Sequence, residues 1–235
     1  MILSSFLDLF FPPVCPLCEK AVVARSFCAA CERAFEASRI KGPVCTVCGT
    51  PFASASAQAH ACGQCIKEPP PFVQAVSAYL YEGAVLSAVS AFKFNARVSL
   101  AAGLGALSAE AARFDAAPQL VLPVPLHVAR LRRRGFNQSL LLAQEVASTL
   151  SLPIDYTLLS RVRETASQTG LKAADRRINV KGAFAVARPD NVKGRRVLLV
   201  DDVMTTGSTV RECAAVLKSA GASVSVLTLA RAVRL

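Results

Sequence analysis

Along residues 73–229 the apolar positions switch between two patterns, short continuous runs and helical stripes. Val73–Tyr81 reads as a strand, and Gly83–Phe94 and the Ala-rich Leu100–Phe114 read as helices. Leu120–Val124 is a short apolar strand, followed by a basic loop and a helix from about Asn137 to Leu150. A polar, arginine-bearing stretch covers Arg161–Lys181. Val197–Val200 reads as a buried strand, and a helix from about Ser208 to Ala220 stops at Gly221 before the strand Val224–Leu229. Near-continuous apolar strands alternating with helices predict an α/β fold, a mostly parallel sheet flanked by helices.

The first seventy residues read differently. They hold few large apolar side chains beyond the opening MILSSFLDLFFPP, which lacks a basic n-region and a small-residue cleavage site and contains Asp8. That opening is expected to be an amphipathic helix or docking arm rather than an export signal. Pro69-Pro70-Pro71 reads as a stiff linker, dividing 1–70 from 71–235. No run of 18 or more apolar residues occurs, so no membrane insertion is expected and the chain should be cytoplasmic.

Nine cysteines fall in the 235 residues, and eight form Cys-x-x-Cys pairs: Cys15/Cys18, Cys28/Cys31, Cys45/Cys48 and Cys62/Cys65. Cys213 stands alone. Eight paired thiols serve either a disulfide framework or two four-cysteine zinc sites. A Cys-x-x-Cys turn sets two sulfurs on one knuckle, and two knuckles complete a tetrahedron around zinc. Without an export signal the pattern favours two structural zinc sites. Sequential pairing closes short loops and is favoured over joining the first pair with the third. His60, two residues before Cys62, is either a substitute ligand or a surface histidine. Metal binding would supply on the order of 10 kcal/mol of folding free energy per site to a segment with little core of its own.

Composition changes the picture in one place. Hydrophobic residues are 53% and charged residues 18%, which excludes a disordered chain. The net charge is +11, and residues 130–196 hold 14 basic against 5 acidic side chains, so the excess is local. Arg130, Arg132, Arg133 and Arg134 form its densest cluster. Such a field attracts a phosphorylated ligand or a nucleic-acid backbone, although a solvated basic surface is the plainer alternative.

The chemistry concentrates in Val197-Leu-Leu-Val-Asp201-Asp202-Val-Met-Thr205-Thr206-Gly207-Ser208-Thr209. Apolar residues deliver two carboxylates to the carboxyl end of a strand, where open α/β sheets bind ligands. The following loop opens directly into a helix. Backbone N–H groups there, with the Thr205, Thr206, Ser208 and Thr209 hydroxyls, make a cradle for a phosphate, and Gly207 lets the backbone approach closely. Asp201 and Asp202 suit ribose hydroxyls, or a Mg²⁺ near them. A helix-capping turn is the structural alternative. Neither a Walker A motif nor a Rossmann glycine triplet occurs.

The stretch Asp201–Thr209 resembles the phosphoribosyl-pyrophosphate (PRPP) signature of type I phosphoribosyltransferases. The whole chain resembles the ComF family, associated with DNA uptake in natural transformation, in which a double zinc ribbon precedes that domain. The resemblance runs through the four Cys pairs, Tyr79-Leu-Tyr-Glu-Gly83, Phe92-Lys93-Phe94, Pro123-Val-Pro-Leu-His127, Arg134-Gly-Phe-Asn-Gln138 and Arg176-x-x-Asn179. It implies that Asp201 and Asp202 hold the ribose hydroxyls and that Thr205, Thr206, Gly207, Ser208 and Thr209 hold the 5′-phosphate. It also implies that Arg134, Gly135, Asn137 and Gln138 meet pyrophosphate and that Arg161–Lys181 covers the site, with Arg176 as the preferred contact. Lys93 is a weaker candidate, since it is equally expected to point to solvent between two core phenylalanines.

Three functions follow from the resemblance. The first is a PRPP-binding protein that handles incoming single-stranded DNA, with Arg130, Arg132 and Arg133 on the nucleic acid. The second is a metabolic phosphoribosyltransferase using PRPP with Mg²⁺ and an unidentified acceptor. The third is a non-catalytic zinc-ribbon adaptor for a competence helicase. The absence of Trp and the presence of only three Tyr limit base stacking.

Overall fold

The computed structural model describes residues 12–23, 26–54, 58–165 and 178–233. The apolar opening before Pro12, Arg176 and most of the stretch expected to cover the site lie outside these residues.

Two ribbons come first. A knuckle at Cys15–Cys18 is followed by helix α1 (Ala29–Glu36), and a knuckle at Cys45–Cys48 by the short helix α2 (Gly63–Lys67). The chain then alternates: β1 (Gln74–Leu80), α3 (Gly83–Phe94), α4 (Leu100–Glu110), β2 (Leu120–Pro123), α5 (Val128–Arg134) and α6 (Gln138–Leu150). The hairpin strands β3 (Leu159–Arg161) and β4 (Phe184–Val186) follow, then β5 (Arg196–Met204), α7 (Ser208–Ser219) and β6 (Ser223–Arg231). The main sheet has the order β1-β6-β5-β2 and is parallel throughout, whereas β3 and β4 pair antiparallel.

Strand β5 shows why the sheet is covered on both faces. Val197 and Leu199 enter one apolar cluster, which holds Leu217 of α7, and Leu198 and Val200 enter the other, which holds residues of α3, α4 and α6. All four are buried, each contributing about 1.5–3 kcal/mol of burial. The two ribbons divide in the same way. Cys45, Cys48 and Cys65 join the first cluster, and Cys15, Phe27, Cys31 and Phe35 join the second. Between them, Arg39 forms an antiparallel bridge with Tyr79 at the free edge of β1, and Leu80 N–H donates to the Ser38 carbonyl at 2.7 Å.

Three local expectations are corrected. The basic loop after β2 is the helix α5, none of whose residues is buried. It starts at His127, whose ring nitrogen accepts from Ala129 N–H, and ends at the left-handed Gly135. The helix from Leu100 stops at Glu110, short of Phe114. Strand β5 extends to Met204, so Asp201 and Asp202 stand inside it rather than beyond its end. Among the described residues, no helix is long and apolar enough to cross a membrane.

Candidate functional site

A cleft of about 1210 Å³ opens at the carboxyl ends of β2 and β5. Strand β5 supplies Asp201 and Asp202, the loop after it Thr205, and the first turn of α7 Thr209. The β2–α5 turn and α5 supply Arg130, Arg133 and Arg134, the start of α6 Gln138 and Ser139, α3 Lys93, and the hairpin Arg161. Five cationic side chains thus face three carboxylates, counting Glu164, and the balance favours an anion.

The acid pair is set by its neighbours. The Ser139 hydroxyl and the Asp202 backbone N–H both donate to Asp201 Oδ1, at 2.7 and 2.9 Å. Lys93 Nζ stands 2.7 Å from Asp202 Oδ2, and Val203 N–H donates to Asp202 Oδ1 at 2.6 Å. Burial, and after it the adjacent Asp202 charge, raises the Asp201 carboxyl to about 7, against the opposing pull of Lys93 and Ser139. Burial opposes the Lys93 charge, but Asp202 more than compensates and holds the ammonium protonated. Lys93 therefore belongs to the site. Helix α3 turns Phe92 into the core and Phe94 outward, and Lys93 between them reaches across to β5.

The loop after β5 has the form of an anion cradle. Gly207 caps α7 at φ +75, and a Cβ there would lie 2.8 Å from the Met204 methyl group. Thr206 and Ser208 hydroxyls hydrogen-bond each other at 2.8 Å, which fixes the turn, while Thr205 and Thr209 line the cleft. N–H groups at the start of this twelve-residue helix carry the positive end of its dipole.

The expected pyrophosphate segment divides by role. Arg134 donates to Gln138 Oε1 at 2.6 Å and lies 5.8 Å from the Phe94 ring centre, within the cleft. Asn137 is instead the cap of α6: its Oδ1 accepts from Ser139 N–H and its Nδ2 donates to the Val124 carbonyl. Gly135 serves the turn. Of the residues expected on nucleic acid, Arg130 lines the cleft and donates to the Thr165 carbonyl at 3.2 Å. Arg133 lines it as well, paired with Glu164 at 3.0 Å, and Arg132 is exposed outside it.

Arg161 had no individual signal in the sequence. It is buried where the hairpin meets the cleft, 5.2 Å from the Phe184 ring centre, and donates to the Thr165 hydroxyl. Cys213 lies buried on α7 facing the first cluster, and burial, then Asp201, pushes its thiol well above the usual range. It is a packing residue.

The ribbon cysteines gather as two sequential groups, Cys15/Cys18/Cys28/Cys31 and Cys45/Cys48/Cys62/Cys65, with all sulfurs of a group within 4.8 Å of one another. Cys18 and Cys28 sulfurs are 3.6 Å apart, and those of Cys48 and Cys62 are 3.8 Å apart. A zinc tetrahedron with bonds of about 2.3 Å has edges of about 3.8 Å, so both groups fit zinc. Backbone N–H groups of Cys48 and Cys62 point at the Cys45 sulfur. Burial works against that thiolate, but these donors prevail and bring its pKa to about 6. His60 stacks on Phe52 at 4.4 Å and is no member of the second group.

Comparison with known proteins agrees with this layout. The double zinc ribbon domain family matches residues 6–66, and the phosphoribosyl transferase domain family matches residues 137–233. The chain is 38% identical to the DNA utilization protein YhgH of Salmonella typhimurium over 232 residues, 95% of this chain and 99% of that protein. It is 34% identical to competence protein F of Haemophilus influenzae, over 90% of this chain and 93% of that protein. It is 29% identical to competence protein ComFC of Bacillus subtilis, over 82% of this chain and 80% of that protein.

Proposed function

This chain belongs to the ComF family, a double zinc ribbon joined to a phosphoribosyltransferase domain, and we propose that it binds PRPP and acts in DNA uptake by handling incoming single-stranded DNA. The observation that carries the reading is the meeting of three features in one cleft. An acid pair on β5, a hydroxyl-lined turn at the start of α7, and the α5 arginines surround one space. Their chemistries match the three parts of PRPP: ribose hydroxyls on Asp201 and Asp202, the 5′-phosphate on the Thr205–Thr209 turn, and the diphosphate near Arg134 and Arg130. The carboxylate oxygens of Asp201 and Asp202 are hard ligands that also suit the Mg²⁺ accompanying such a ligand, and that ion would neutralise diphosphate charge.

The protein's own residues account for orientation. Ser139 fixes the Asp201 carboxyl, and Lys93 pairs with Asp202 in a buried position. Arg134 is braced by Gln138. Such a preorganised frame binds with little rearrangement. For the nucleic acid, support comes from α5, where Arg132 is exposed outside the cleft and Arg133 is exposed within its lining, and from Phe94, which is 70% exposed beside Arg134. Cations next to an open aromatic ring are the elements of a single-strand platform.

The test is calorimetric titration of the zinc-loaded chain with PRPP and Mg²⁺. Saturable binding by the wild type, and its loss in Asp201→Asn/Asp202→Asn with zinc content kept, is the expected result. An affinity unchanged by the double substitution contradicts the assignment.

A further inference from the structure

Strand β6 ends in Arg231, which is only 8% exposed. Among the described residues no carboxylate pairs with it. Its Nη1 donates to the Cys48 carbonyl at 2.6 Å and approaches Met204 Sδ at 3.2 Å, and its Nη2 stands 3.9 Å from Cys48 Sγ. A guanidinium in that position with only uncharged partners is costly, because burial strips its hydration without supplying an opposite charge. The missing charge lies next to it. Four thiolates around a divalent zinc leave a net charge of −2, which the buried second group has to balance.

We propose that Arg231 is the counter-ion of the zinc–thiolate centre formed by Cys45, Cys48, Cys62 and Cys65, and that this pairing fixes the second ribbon to the end of β6. The ribbon also meets the start of β1 through its backbone. Ala75 N–H donates to the Val47 carbonyl at 2.7 Å, and a Cβ on the left-handed Gly49 would lie 2.4 Å from the Ala75 carbonyl oxygen. The first group differs. Its nearby cation, Arg97, reaches the Leu17 carbonyl but is already paired with Glu19 and is 29% exposed. Through Arg231, the second cysteine group is thus one side chain from Met204, whose methyl group packs under Gly207 of the phosphate turn.

The test is chelator titration of the zinc-loaded full chain, with alkylation of freed thiols mapped by mass spectrometry. Arg231→Gln keeps a hydrogen-bond donor and removes the charge. Its Cys45, Cys48, Cys62 and Cys65 are expected to alkylate at a chelator concentration at least tenfold below that of the wild type, with Cys15, Cys18, Cys28 and Cys31 unchanged. Release of both groups at wild-type concentrations overturns the proposal. If Arg231→Gln fails to fold, which alkylation of the buried Cys213 before chelation reports, the wild type decides. Stripping its second group should speed amide exchange at Tyr81 and Ala232, which are bonded to the Arg231 and Met204 carbonyls, at least tenfold. Exchange that stays at its zinc-loaded rate overturns the proposal.

Discussion

Replacing Asp201 by Asn should make the ligand-free protein more stable while removing its ability to bind PRPP. Asp201 is 9% exposed and raised from its ordinary 3.8 to about 7 by burial and by Asp202. Below pH 3.8 the carboxyl is protonated both folded and unfolded, and it contributes nothing to pH dependence. As the pH climbs, the unfolded chain ionises first, so the folded state is progressively penalised until the folded carboxyl also ionises near 7. At 1.36 kcal/mol per pH unit, the penalty above pH 7 is on the order of 4 kcal/mol. Asn has the same shape and can still accept from the Ser139 hydroxyl. Thermal unfolding at pH 8 should therefore show Asp201→Asn above the wild type by about 10 °C for a chain of this size. At pH 5 the advantage should shrink to about a third. Calorimetry at pH 8 should show no PRPP binding by the same variant, a trade of function for stability. A variant no more stable than the wild type at pH 8, or an advantage independent of pH, would refute the reasoning.

Other substitutions test the remaining parts. Lys93→Met leaves Asp202 buried without its cation and should cost about 3 kcal/mol at pH 8 by chemical denaturation. Gly207→Ala places a side chain at φ +75 against Met204 and should cost about 1–2 kcal/mol of stability and lower PRPP affinity by calorimetry, zinc content remaining at two. Arg132→Ala/Arg133→Ala should flatten the salt dependence of single-stranded DNA binding, reducing the slope of log affinity on log salt by about 1.4. An unchanged slope in fluorescence anisotropy would remove these residues from the nucleic-acid contact.

What was legible in the sequence, and what was not, follows from the range of each interaction. The β5 run was readable because four adjacent apolar residues lead directly into the acids and the hydroxyl-rich turn, a local pattern that the parallel register with β2 and β6 completes. The cysteine groups were readable because each closes over a short stretch of chain. Helix α5 leaves no signal in the sequence because none of its seven residues is buried, so no apolar stripe marks it. Arg161 enters the cleft only because Leu159–Arg161 pairs with Phe184–Val186, a pairing without a local signal. Lys93 is weakly marked in the sequence for a geometric reason. Flanking phenylalanines suggest a core segment, but the helix turns one of them outward and aims the lysine at Asp202, 109 positions later. Arg231 is the extreme case, since its partner Cys48 is 183 residues away.

The most direct test of the central claim is a crystal structure of the zinc-loaded chain soaked with PRPP and Mg²⁺. The account predicts density for one ligand in the β2–β5 cleft, with its ribose on Asp201 and Asp202 and its 5′-phosphate on the N–H groups at the start of α7. An empty cleft at saturating ligand, or a ligand lodged elsewhere with the Thr205–Thr209 turn untouched, would contradict it.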